Sequence, residues 1–110
     1  MPLSLEASSP DEQNSREMEA EPMVLARKID SREATALLHT FRDRRGAPLT
    51  IDAGFTEYVG GQGVALLLSA AKSWHTDNQS LEFANPSDDF IRDLALYGLT
   101  VDDINVEVGL

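Results

Sequence analysis

Apolar and polar positions along this chain change period several times, and each change marks an element. Residues 23–29 carry Met23, Val24, Leu25, Ala26 and Ile29, a short apolar run of strand type with weak alternation. Asp30 follows, with Glu33 three residues on, which is the spacing of a capping box at a helix start. Ala34, Leu37, Leu38 and Phe41 then recur at helical spacing and define one buried face. Arg42, Arg44 and Arg45 close that helix at the negative end of its dipole, and Gly46 takes the position just beyond it. Leu49 and Ile51 alternate with Thr50 and Asp52, so 47–53 reads as a strand. Gly60, Gly61 and Gly63 around Gln62 predict a tight turn whose N–H groups point outward at a helix start. The helix they open runs over 61–74 and is apolar on most sides, so it is central or faces a partner as well as a core. Val64, Leu67, Leu68 and Ala71 make its core face, and Gln62, Leu66, Ser69 and Ser73 recur on the other side.

The pattern turns polar over 75–79, a loop. Leu81 and Phe83 alternate with Ser80, Glu82 and Ala84 as a second clear strand. Asn85 and Pro86 stop it. Ser87 is a strong N-cap, and Asp88 and Asp89 complement the positive end of the helix it opens. Phe90, Ile91, Leu94 and Tyr97 supply the apolar side of that helix, and Gly98 ends it. A short helical turn is expected at 100–103, and alternation over 104–108 predicts an edge strand. Strand, helix, strand, helix, strand, helix and a final strand make an α/β domain with helices packed on a largely parallel sheet. Ligands of such sheets usually sit beyond the strand C-termini, which is where the glycine turn lies.

Composition narrows the class. The chain has 110 residues and a formal net charge of −10, enough for one small domain. Residues 1–22 hold six acids against one base, a net of −5, and their few large apolar residues follow no period; a disordered acidic tail is expected there, ahead of a domain over 23–110. No cysteine is present, which removes disulfides and thiolate metal sites. No apolar run approaches the roughly 18–20 residues that span a bilayer, and no secretory signal pattern opens the sequence. A cytoplasmic location is expected. An acidic chain repels nucleic acid and anionic lipid, so neither is expected as a partner.

The strand over 49–53, the glycine turn Gly60, Gly61, Gln62 and Gly63 opening an apolar helix, and the link Asn85, Pro86, Ser87 to a helix ending in Leu96, Tyr97, Gly98 and Leu99 together resemble a STAS domain, the fold of the anti-sigma-factor antagonists. The resemblance covers roughly 23–104. It implies a mixed, largely parallel sheet of about four strands with helices against it. It also implies a non-catalytic protein-binding regulator that docks on a kinase, an ATPase or a transporter. The chain is similar to small one-domain members, some of them encoded near bacterial chemotaxis genes. Many STAS proteins are switched by phosphorylation at a turn that reads an acid, two hydroxyl residues, then Gly-x-Gly. The matching positions here are Tyr58, Val59, Gly60, Gly61, Gln62 and Gly63. Gly60 stands at the acceptor position and has no hydroxyl, and Tyr58 replaces the acid. Thr56 is the nearest alternative acceptor for phosphorylation, set before the turn; otherwise it is a solvated loop threonine.

The resemblance assigns a protein-binding face at Tyr58, Gly60, Gln62, Leu66 and Ser69, with a histidine kinase or an ATPase as partner. Leu66 packing under a neighbouring helix is the plain alternative. A second function class is an anion or small-molecule sensor using the N–H groups of the glycine turn; a third is an accessory subunit of an ATP-driven transporter. A phosphate-binding P-loop does not fit, because Val64 and Ala65 follow the last glycine where Lys and Ser or Thr are needed. His39 and His75 have no ligand-spaced companions, so no metal site is expected. No nucleophile–base pair emerges, so no catalytic residue and no cofactor are assigned. Trp74 reads as a core lid. Arg42, Arg44 and Arg45 read as a solvated helix end, or as a contact for an acidic partner.

Overall fold

A computed structural model describes residues 23–108; the segment 1–22, expected to be a tail, lies outside the described residues. The elements are β1 (Met23–Val24), β2 (Lys28–Ile29), α1 (Ser31–Arg44), β3 (Leu49–Asp52), β4 (Tyr58–Val59), α2 (Gly61–Thr76), β5 (Leu81–Ala84), α3 (Asp88–Ala95) and a 3₁₀ turn (Val101–Asp103). Strands β1, β3 and β5 form a parallel sheet in that order. Strands β2 and β4 form a separate parallel ladder. The fold is α/β and STAS-like, as expected from the sequence.

Local chemistry sets most element ends. The Asp30 carboxylate accepts from the Glu33 N–H at 2.8 Å and caps α1. The Ser87 hydroxyl accepts from the Phe90 N–H at 3.0 Å and caps α3. Gly46 at φ 92° and Gly98 at φ 76° follow the helix ends in the left-handed region, where a side chain would be strained. Thr100 and Asp103 form a reciprocal capping box around the 3₁₀ turn.

Four details depart from the sequence pattern. The run over 23–29 is two strands: Leu25 still donates to the Asp52 carbonyl, then the chain bends at Arg27 and joins a second ladder. The glycines at 60–63 are not a tight turn. Gly60 is the N-cap of α2 at φ −83° and ψ 176°, extended backbone that any residue adopts, and the other two lie in the first helical turn. Helix α2 runs on to Thr76, so the expected loop begins later, with Asn78 in the left-handed region. The terminal strand reduces to one antiparallel bridge between Leu81 and Val106.

The core lies between the sheet and the helices. Leu49, Ile51, Leu81 and Phe83 enter it from the strands, Phe41, Leu67, Trp74, Phe90 and Leu94 from the helices. Alternate strand residues Thr50, Asp52 and Glu82 stand on the other face. Trp74 is 1% exposed, donates its indole N–H to the Ala47 carbonyl at 2.9 Å, and meets Phe41 edge-on at 5.7 Å. Leu68, Ile91 and Tyr97, expected in the core, are instead exposed at 39%, 44% and 51%. On α2 the core face is Gly63, Val64, Leu67, Ala70, Ala71 and Trp74, rotated away from Leu68.

Candidate functional site

The glycine end of α2 is placed by two contacts. The Gly60 N–H donates to the Ile29 carbonyl at 3.0 Å, extending the β2–β4 ladder. The Val59 N–H donates to the buried Asp93 carboxylate at 2.8 Å, which ties β4 to α3. Asp93 also receives Arg92 at 3.1 Å. That hydrogen bond, more than the surrounding charges, holds the guanidinium above its ordinary range.

Gly63 explains itself by packing. A Cβ there would lie 2.7 Å from Ile29 Cγ2 and 3.0 Å from Val59 Cγ1. The helix start therefore rests directly on the ladder. Gly60 and Gly61 differ, since a Cβ on either would meet chiefly a tyrosine hydroxyl: Tyr58 at 2.9 Å and Tyr97 at 3.3 Å respectively. Both tyrosines are about half exposed, and they flank the end of the helix. Unlike α1 and α3, α2 has no side-chain cap and no acid in its first turn.

Thr56 is not a solvated loop residue. It is 1% exposed, its hydroxyl donates to the Ala26 carbonyl at 2.9 Å, and its own carbonyl accepts from Ser87 Oγ. The folded chain does not offer that hydroxyl to a kinase. Between Thr56 and Ser69 the sequence has no serine or threonine.

Gln62, Leu66 and Ser69 come together along one side of α2, where it packs on α1. With Ser31, Thr35 and Leu38 of α1 they line a cavity of about 330 Å³. A second cavity of about 230 Å³ continues it past Arg42, Ser73 and Trp74. Leu38, Leu66 and Ser69 line both, so the two form one groove. Leu66 is partly buried against the core, and Gln62 and Ser69 are exposed. Tyr58 and Gly60 stand at the N-terminal end of the same helix. The α1 wall of this groove was missed from sequence. Its signal was the recurrence of Thr35, Leu38 and Arg42 on one helical face, with Arg45 just beyond the helix end.

The remaining chemical candidates stay apart. His39 on α1 and His75 on α2 are exposed. No group of three or more His, Asp or Glu side chains that could hold a metal occurs among the described residues. Asp88 and Asp89 open α3, and Asp89 pairs with Arg92 at 2.7 Å. No helix of the described residues is long and apolar enough to cross a membrane.

A family model described as "Mlab, STAS domain" matches residues 13–106. No curated protein matches the chain, and no solved structure does. The chain belongs to the STAS family.

Proposed function

We propose that this STAS-family chain is a non-catalytic protein-binding regulator of the bacterial cytoplasm. It docks through the glycine end of α2 and the groove beside it onto a histidine kinase or an ATPase. The observation that carries this reading is the surface of α2. Over 61–71 the helix has no charged residue on any side, although the chain as a whole is at −10. Gly61, Gln62, Ala65, Leu68 and Ser69 are exposed there, and Tyr58 and Tyr97 stand at the end. Depletion of charge with exposed aromatics is the composition of an interface centre. With no serine or threonine at the helix start, docking is not gated by phosphorylation at that point.

Affinity capture with the full chain tests the reading, with Tyr58→Ala as the interface variant and Glu82→Lys, on the far face of the sheet, as the control. Leu66→Asp is a poor probe, because that side chain packs partly against the core. The reading predicts a kinase or ATPase held by the wild type and the control and lost by Tyr58→Ala. Equal recovery with both variants would remove the assigned face. Recovery only of proteins without nucleotide chemistry would remove the partner class.

A further inference from the structure

We infer that the α1–α2 groove receives an acidic amphipathic helix of the partner, an inference that rests on the docking reading above. The groove is uncharged at one end, where Ser31, Thr35 and Gln62 line it. At the other it is lined by Arg42 and Arg45. No acidic side chain lines either cavity, whereas the large cleft at the far end of the sheet is lined by Glu82, Asp102 and Glu107.

The two arginines are in different states. Arg45 is held by Asp77 through two hydrogen bonds of 3.0 and 2.8 Å. Arg42 is exposed and makes no ion pair or hydrogen bond among the described residues. The wider charge distribution points the same way. Residues 23–80 carry seven bases and six acids, a net of +1. Residues 81–108 carry one base and seven acids, a net of −6. An acidic segment is therefore repelled from residues 81–108, and the groove, with Arg42 and Arg45 and no acid in its lining, is the surface that suits it.

The shape fits a helix. Two packed helices present a groove into which the ridge of a third can settle, and small residues such as Ala34, Ala65 and Ser69 let it come close. Leu38 and Leu66 form the apolar floor. A carboxylate one or two turns along the docked helix would reach Arg42 and make a charge-assisted bond.

The test is a titration of the isotope-labelled full chain, followed by amide chemical shifts. Two synthetic peptides of about 18 residues are used, long enough to be helical in isolation. Both carry the same leucine face; one has glutamate and the other lysine on the polar face. The expected result is saturable shifts at Leu38, Arg42, Leu66 and Ser69 with the glutamate peptide only, weakening as salt is raised. Arg42→Glu, shown to be folded by its thermal melt, should weaken binding about tenfold or more, and Arg42→Ala by less. Absence of binding, shifts centred on 81–108, a lysine peptide that fills the groove, or an unchanged affinity for Arg42→Glu would each overturn the inference. A kinase or ATPase captured in a Tyr58-dependent way but indifferent to Arg42→Glu would leave the docking reading standing and remove only this one.

Discussion

Replacing Gly63 by alanine tests how the glycine end of α2 is positioned. The new Cβ would sit 2.7 Å from Ile29 Cγ2, 3.0 Å from Val59 Cγ1 and 3.1 Å from the Ile29 carbonyl oxygen. Carbon atoms in contact prefer about 3.5–4.0 Å, so the methyl overlaps its neighbours by up to roughly 1 Å. Neither neighbour yields easily. Ile29 and Val59 are fully buried, β-branched and paired with each other in the β2–β4 ladder. Overpacking of this kind costs about 1–3 kcal/mol. The better helix propensity of alanine returns at most about 1 kcal/mol. The net expectation is a loss of about 1–2 kcal/mol, and at about 4–8 °C per kcal/mol for a domain of this size the melting temperature falls by roughly 5–15 °C. Trp74 is the sole tryptophan and is buried, so its fluorescence reports the transition, with circular dichroism as the second probe. Gly61→Ala is the control. Its Cβ meets only the movable Tyr97 ring, the hydroxyl first at 3.3 Å, and its melt should stay within about 0.5 kcal/mol of wild type. A Gly63→Ala protein that melts at or above the wild-type temperature would refute the packing argument.

Three further outcomes follow from the same geometry. Gly60→Asp should be stabilising by a few tenths to about 1 kcal/mol in a thermal melt, because position 60 is an uncapped N-cap in extended backbone; a clear loss of stability would show that the Tyr58 ring cannot move aside. The Arg45 hydrogen bond holds the Asp77 carboxyl below the ordinary carboxylate range, so the pair contributes stability above that range and loses it as pH falls through the depressed value. Asp77→Asn should therefore melt below wild type at neutral pH, with the gap closing in acid, and a gap that persists in acid would assign the effect to packing. Trp74→Phe should cost about 2–3 kcal/mol by circular dichroism, since it strips the Ala47 carbonyl of its donor and leaves a void; a cost under half of that would mean the indole bond is dispensable.

What the sequence shows of this fold follows from how local each determinant is. Asp30 and Ser87 cap their helices, and Gly46 and Gly98 end theirs, because a cap is decided within four residues. The strands around Ile51 and Phe83 are legible because one face of the sheet is buried and the other is not. The split of 23–29 is invisible, since periodicity does not say which neighbour a strand pairs with. The strand Tyr58–Val59 is too short to have a period. Gly60, Gly61 and Gly63 look alike in sequence, yet only Gly63 is needed for close approach to the ladder. Leu68, Ile91 and Tyr97 are apolar and still exposed, which is where apolar type and core membership part company. At the candidate site, Gln62, Leu66 and Ser69 are legible as one helical face. Their union with Leu38 and Arg42 depends on α1 packing against α2, a tertiary fact.

The central claim is that the uncharged face of α2 is where a partner sits. Its most direct test is the affinity of the captured partner, measured on immobilised full chain, for wild type, Gln62→Glu and Glu82→Lys. Gln62→Glu puts a carboxylate in the middle of the assigned contact, where it must be desolvated without a partner and is repelled by an acidic helix in the groove. The account predicts a loss of about 1.5–3 kcal/mol, roughly ten- to a hundredfold in affinity, with Glu82→Lys indistinguishable from wild type. Full affinity for Gln62→Glu, with the loss falling on Glu82→Lys, would place the partner on the open face of the sheet and contradict the claim.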